Sequence, residues 1–93
     1  MGKQIVKKIR VKNELGLHTR PATMIVKILQ ECKSSVTFTY KKESVDARSI
    51  LSILMLAVQK NGILTVNIEG DDAEETLKRL EAAFDSHFGE KHE

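Results

Sequence analysis

Tryptophan is absent from this 93-residue chain, and cysteine and proline occur once each. A single cysteine, Cys32, excludes an internal disulfide framework, and the expected setting is the reducing cytoplasm. One proline and five glycines exclude collagen-like or linker-rich sequence. Long apolar runs are missing too. The longest, Ile53 to Val58, falls far short of the roughly 20 residues that span a bilayer, so no membrane insertion is expected. The first residues carry lysines with no apolar stretch behind them, unlike a signal peptide. Val6 stands where a myristoylation signal needs Ser or Thr. What is present is 41% hydrophobic and 30% charged, a globular composition. The length suits one domain over residues 1–93, with a tail at 89–93 expected to fray.

The net charge of +2 hides an asymmetry. Residues 1–68 hold 12 basic and 4 acidic side chains, a net of +8, whereas residues 69–93 hold 3 and 9, a net of −6. That pattern is either ordinary solvation or a basic face for an anionic ligand or acidic partner.

Period-two alternation at Lys8 to Lys12 predicts a strand with Ile9 and Val11 inward. Pro21 marks the first turn of a helix. Ala22, Ile25, Val26, Leu29 and Cys32 share about a third of its circumference, which makes Cys32 a packed thiol. Val36 to Tyr40 reads as a strand, Lys41-Lys42-Glu43 as a turn, and Val45 as part of a short returning strand. A second helix is expected from Ser49 to Val58, closed at Lys60-Asn61-Gly62. Leu64, Val66 and Ile68 mark a fourth strand. A third helix starts at Gly70-Asp71, with Asp71 and Glu74 as a capping box and Leu77, Leu80 and Phe84 inward. The order β-α-β-β-α-β-α, with half-polar strands, predicts an α+β two-layer sandwich with three helices on one face of the sheet.

No two of His18, His87 and His92 stand at metal-ligand spacing, so no metal site is expected, and His87 and His92 read as surface residues near the tail. His18 lies in Leu15-Gly16-Leu17-His18-Thr19-Arg20-Pro21-Ala22, at or next to the first helix's N-cap. There the N–H groups of Thr19 and Arg20 and the positive dipole end oppose a positive charge on the ring. The same field favours an anion bound to it. Arg20 adds a planar fork suited to phosphate oxygens. The pattern fits a histidine that accepts a phosphoryl group; the alternative is one that only caps a helix.

The second helix has two apolar faces. Ile50, Leu51, Leu54 and Val58 occupy one, and Ile53, Leu56 and Ala57 the other. Covering one sheet needs a single face, so Ile50, Leu51 and Leu54 are a candidate docking patch, unless deeper burial or a homodimer contact covers them. Ser49 caps this helix, a position that also suits a regulatory phosphate.

The segment Asn13-Glu14-Leu15-Gly16-Leu17-His18-Thr19-Arg20-Pro21-Ala22 resembles the active-site motif of HPr, the histidine-containing phosphocarrier of the bacterial phosphoenolpyruvate-dependent phosphotransferase system. A second motif, Arg48-Ser49-Ile50, agrees, and the resemblance spans about residues 3–88. It implies an open-faced sandwich with a four-stranded antiparallel sheet. It implies that His18 takes phosphate on Nδ1 from enzyme I and passes it to IIA domains in sugar uptake. Thr19 and Arg20 would hold the phosphoryl group. Ser49 would match the serine modified by HPr kinase/phosphorylase in bacteria having that enzyme. Ile50, Leu51 and Leu54 would form the partner surface. Such a protein is a monomeric, cytoplasmic, stoichiometric carrier without cofactor rather than a stand-alone enzyme. Lys41-Lys42-Glu43 replaces a turn that contains glycine in many relatives, and Ala57 replaces a common glycine. The stretches Ser52 to Leu56 and Phe84 to Phe88 are closer to NPr, the nitrogen-branch paralogue, which stands as an alternative. From a different class, the basic excess with Phe38 and Tyr40 on a strand invites a small nucleic-acid-binding module. The scarcity of aromatics and the lack of a stacking motif count against that reading.

Overall fold

A computed structural model describes residues 2–89, and the tail beyond Gly89 and His92 lie outside them. The elements are β1 (Lys3–Arg10), α1 (Thr19–Gln30), β2 (Ser35–Tyr40), β3 (Glu43–Asp46), α2 (Ile50–Leu56), β4 (Ile63–Gly70) and α3 (Ala73–Asp85), then a 3-10 turn at His87–Gly89. The strands form one antiparallel sheet in the order β1-β4-β2-β3. The three helices cover one face and the other is open, so the expected sandwich is what the chain forms.

The alternating strands turn the anticipated side chains inward. Val36, Phe38, Leu64, Val66 and Ile68 are buried against Ala22, Ile25 and Leu29 of α1 and Leu80 and Phe84 of α3. β1 runs from Lys3 to Arg10 rather than from Lys8 to Lys12, because it pairs with β4 along its whole length, Lys3 opposite Gly70 and Arg10 opposite Ile63. Val11, just past it, is fully buried as expected, and Ile9 is half-buried. Tyr40 and Glu43 pair across a two-residue turn in which Lys41 and Lys42 both have positive φ, 49° and 70°. Hairpins with two-residue loops favour that conformation because it matches the twist of the strands, although Asn and Gly adopt it more readily than lysine does. Cys32 is buried beyond α1, and its thiol donates to the Ile28 carbonyl at 3.3 Å.

Three boundaries differ from the sequence reading. α2 stops at Leu56, because Ala57 adopts the left-handed conformation (φ 53°, ψ 45°) and its N–H closes on the Leu54 carbonyl. Lys60-Asn61-Gly62 is instead the approach to β4, with the Asn61 and Val11 backbones joined across it. α3 is capped by Asp72, not Asp71, and no capping box forms. The Asp72 carboxylate turns to the α1–β2 connection, taking the N–H groups of Lys33 (2.8 Å) and Ser34 (2.9 Å) and the Ser34 hydroxyl. Those donors, the Lys33 N–H foremost, hold its pKa below the usual carboxylate value. After α3 the chain continues into the turn at His87–Gly89, so the third difference is that Gly89, placed in the fraying tail, belongs to this turn. Phe88 is fully buried and packs edge-to-face on Phe84, with ring centroids 4.8 Å apart.

Candidate functional site

His18 is the N-cap residue of α1, in extended conformation (φ −86°, ψ −164°), and its carbonyl accepts the first helical bond from the Ala22 N–H at 3.0 Å. Its side chain is half-buried and makes no helix-capping bond. Thr19 and Arg20 follow as exposed residues of the first turn, and buried Pro21 offers no N–H. The donors of this helix start are therefore the N–H groups of Thr19 and Arg20, directed at the His18 side of the helix. With the helix dipole they make a favourable place for an anion.

The loop before His18 is fixed from two sides. Gly16 has φ +68°, and a Cβ on it would fall 2.0 Å from the Val58 carbonyl oxygen. Only glycine both tolerates that backbone and allows the approach. The approach lets the Leu17 N–H donate to the same carbonyl at 2.9 Å, while the Leu17 side chain is buried. Gly16 N–H closes the loop on the Asn13 carbonyl at 3.0 Å. Buried Asn13 donates through Nδ2 to the His87 carbonyl at 3.0 Å. His87, read from sequence as a plain surface residue, thus ties the C-terminal turn to the His18 loop. A Cβ on Gly89 would lie 3.7 Å from the Arg20 guanidinium, so this turn borders the site. Sequence reasoning missed the contacts with Val58, His87 and Gly89 because those partners lie some 40 to 75 positions away; Gly16, inside a motif, was the available signal.

Ser49 caps α2 as expected, its Oγ accepting from the Ser52 N–H at 3.2 Å. Arg48, beside it, donates to the carbonyls of Leu29, Cys32 (3.0 Å) and Ser34 (2.7 Å), neutralising the negative end of α1. α2 is thereby fastened to the helix that begins at His18. Its two faces separate as predicted at the centre: Ile53 and Leu56 are in the core, and Ile50 (36%) and Leu51 (67%) are exposed. Leu54 is only partly exposed and packs against the core. Val58 is buried and Ala57 is exposed, the reverse of expectation, because the left-handed Ala57 ends the helical rotation from which those positions were extrapolated. Two apolar side chains not anticipated are exposed as well, Met55 (74%) on α2 and Leu15 (75%) on the His18 loop.

Phe38 is fully buried and Tyr40 half-buried, which leaves no aromatic platform for bases on that strand. Among the described residues no group of three or more His, Cys, Asp or Glu is placed to hold a metal, and no helix is long and apolar enough to cross a membrane.

The site the fold presents is a histidine at the N-cap of α1 with Arg20 in the first turn, on an open-faced β-α-β-β-α-β-α sandwich. Comparison with known proteins specifies the family. The family model described as "PTS HPr component phosphorylation site" matches residues 5–86. The phosphocarrier protein HPr of Chlamydia muridarum is 44% identical over 80 residues, covering 86% of this chain and 77% of that protein. The multiphosphoryl transfer protein of Salmonella typhimurium is 35% identical over 83 residues, 22% of its length. The crystal structure of HPr-C-His from Thermoanaerobacter tengcongensis superposes with a TM-score of 0.87 at 34% identity, over 97% of this chain and 99% of that one. This chain belongs to the HPr family, the phosphocarriers of the bacterial phosphotransferase system.

Proposed function

We infer that His18 accepts a phosphoryl group on Nδ1 from phosphorylated enzyme I and passes it to IIA domains during sugar uptake. The observation that carries this reading is the seat of His18 at the N-cap of a twelve-residue helix, inside the HPr motif and with Arg20 beside it. In the transfer, the Nδ1 lone pair attacks phosphorus, a P–N bond forms, and the bond from phosphorus to the donor breaks. The product carries about two negative charges, which the N–H groups of Thr19 and Arg20, the helix dipole and the Arg20 guanidinium all favour. Ile50, Leu51 and Leu54, extended by Met55 and Leu15, serve as the partner surface next to this site. Phosphorylation of Ser49 by an HPr kinase/phosphorylase regulates docking, because it sets charge beside Ile50 and Leu51 while leaving the fold intact. The chain acts as a single-domain cytoplasmic monomer. The name phosphocarrier protein HPr borne by the relatives supports the sugar branch over the nitrogen branch.

The test is incubation with phosphoenolpyruvate and enzyme I, followed by phosphopeptide mapping. The expected label is acid-labile, base-stable and lost in His18→Ala; Arg20→Ala should fold normally and take label more slowly. Acid-stable label, or label on His87, refutes the assignment.

A further inference from the structure

The basic excess of the first 68 residues is not absorbed by the His18 site. Lys3, Lys7, Lys8, Arg10 and Lys12 lie on or just past β1, and β1 is an edge of the sheet. Its pairing with β4 decides which backbone groups remain available. The Val11 N–H donates to the Gly62 carbonyl, continuing the register in which Ile9 faces Leu64 and Lys7 faces Val66. In an antiparallel strand each residue's N–H and C=O point to the same side, and the side alternates. The odd-numbered residues thus bond to β4, and the N–H and C=O of Gln4, Val6, Lys8 and Arg10 point outward past the edge. Their side chains stand exposed on the open face.

Beyond that edge runs an open groove of about 360 Å³, lined on the β1 side by Lys7, Lys8, Ile9, Arg10 and Lys12 and on the α3 side by Glu81, Phe84 and Asp85, so its cations lie along β1 and its carboxylates along α3. Lys7 reaches Glu81 of α3 at 3.7 Å, and Lys3 pairs with Glu74. Among the described residues, Lys8, Arg10 and Lys12 have no carboxylate within ion-pair distance. Lysines along an edge strand ordinarily prevent edge-to-edge pairing. Here they forbid a second copy of β1, which would set cation against cation, but they favour an incoming strand of opposite charge.

We propose that the β1 edge takes an extended acidic segment of a partner protein as a fifth strand. Its backbone bonds to Gln4, Val6, Lys8 and Arg10. Its carboxylates lie at alternate positions over Lys8 and Arg10, and the intervening small apolar side chains enter the groove beside Ile9. Main-chain bonds supply affinity and the alternating side chains supply selectivity, as in other cases of strand addition. The proposal does not depend on phosphoryl transfer at His18.

The probe is an end-blocked, fluorescein-labelled octapeptide of alternating glutamate and valine, titrated onto the full chain by anisotropy. Amide exchange is followed by NMR. Saturable binding is expected, with slowed exchange at Gln4, Val6, Lys8 and Arg10. The double variant Lys8→Glu/Arg10→Glu, altering exposed side chains only, should bind about tenfold more weakly or worse. Val6→Pro removes one outward donor without changing charge, and proline is tolerated where an edge N–H faces solvent. It too should weaken binding, whereas His18→Ala should bind as the wild type does. The proposal is overturned by equal affinity after charge reversal, by protection confined to α2, by dimerisation in place of peptide binding, by displacement of the peptide by oligouridylate, or by no binding at about 1 mM peptide.

Discussion

Replacing Gly16 by alanine tests whether the His18 loop is held as the structure describes. Alanine in the left-handed conformation costs about 1–2 kcal/mol. The larger difficulty is the Val58 carbonyl, 2.0 Å from the new Cβ, because it is backbone and no rotamer change clears it. The loop must withdraw by more than 1 Å, an order-of-magnitude figure from ordinary contact distances of about 3.5–4 Å. Withdrawal breaks the bond from the Leu17 N–H to Val58, a net loss of about 1 kcal/mol. It also uncovers part of the buried Leu17 side chain, whose full burial contributes roughly 1.5–3 kcal/mol. Alanine's smaller unfolded-state entropy offsets about 0.4–1 kcal/mol of this. The expected loss is about 2–5 kcal/mol, which for a domain of this size lowers the melting temperature by roughly 10–30 °C. Urea titration followed by circular dichroism measures it, with the slope of the transition unchanged. At a temperature where the variant remains folded, label uptake on His18 from enzyme I should slow, because the N-cap is displaced. A destabilisation under 1 kcal/mol would show that the loop does not depend on its seat at Val58.

Leu51→Ala should weaken partner binding with the melting temperature nearly unchanged, while Leu56→Ala should cost roughly 2–5 kcal/mol in a denaturant titration; an exchange of these behaviours contradicts the orientation of α2. Lys41→Asn with Lys42→Gly relieves two positive-φ lysines and should raise stability by about 1–2 kcal/mol, read as a shift in urea midpoint. A loss of stability there would mean the turn is not of this type. The folded-state pKa of Asp72 is depressed, so its stabilisation is fully present above the unfolded value near 3.8 and disappears as pH falls below that value toward the folded one. Asp72→Asn should therefore flatten the decline of the urea midpoint below about pH 4. Glu74, also depressed by its bond with Lys3, sustains the remainder. Identical acid profiles for variant and wild type would remove Asp72 from that role.

Local sequence determined the features with local causes. Alternation fixed the inward faces of β2 and β4, Pro21 fixed the start of α1 and with it the cap position of His18, and a serine before an apolar run fixed the cap of α2. The motif around His18 carries the resemblance to the family within ten consecutive residues, Asn13 to Ala22. Tertiary structure decided whatever depends on partners distant in the chain. Periodicity placed Val58 and Ala57 on the wrong faces, because it cannot report that Ala57 leaves the helix. Asp71 and Asp72 are equivalent to a capping rule, and only the donors of Lys33 and Ser34 choose between them. The extent of β1 was invisible in its own weak alternation and was set by β4 across the ladder. His87 read as a plain surface residue because the bond from Asn13 to its carbonyl, like the burial of Phe88 against Phe84, exists only once the sheet has closed. Backbone preferences act over a few residues and can be read in order along the chain. Packing and long-range hydrogen bonds act between segments that the fold must first bring together.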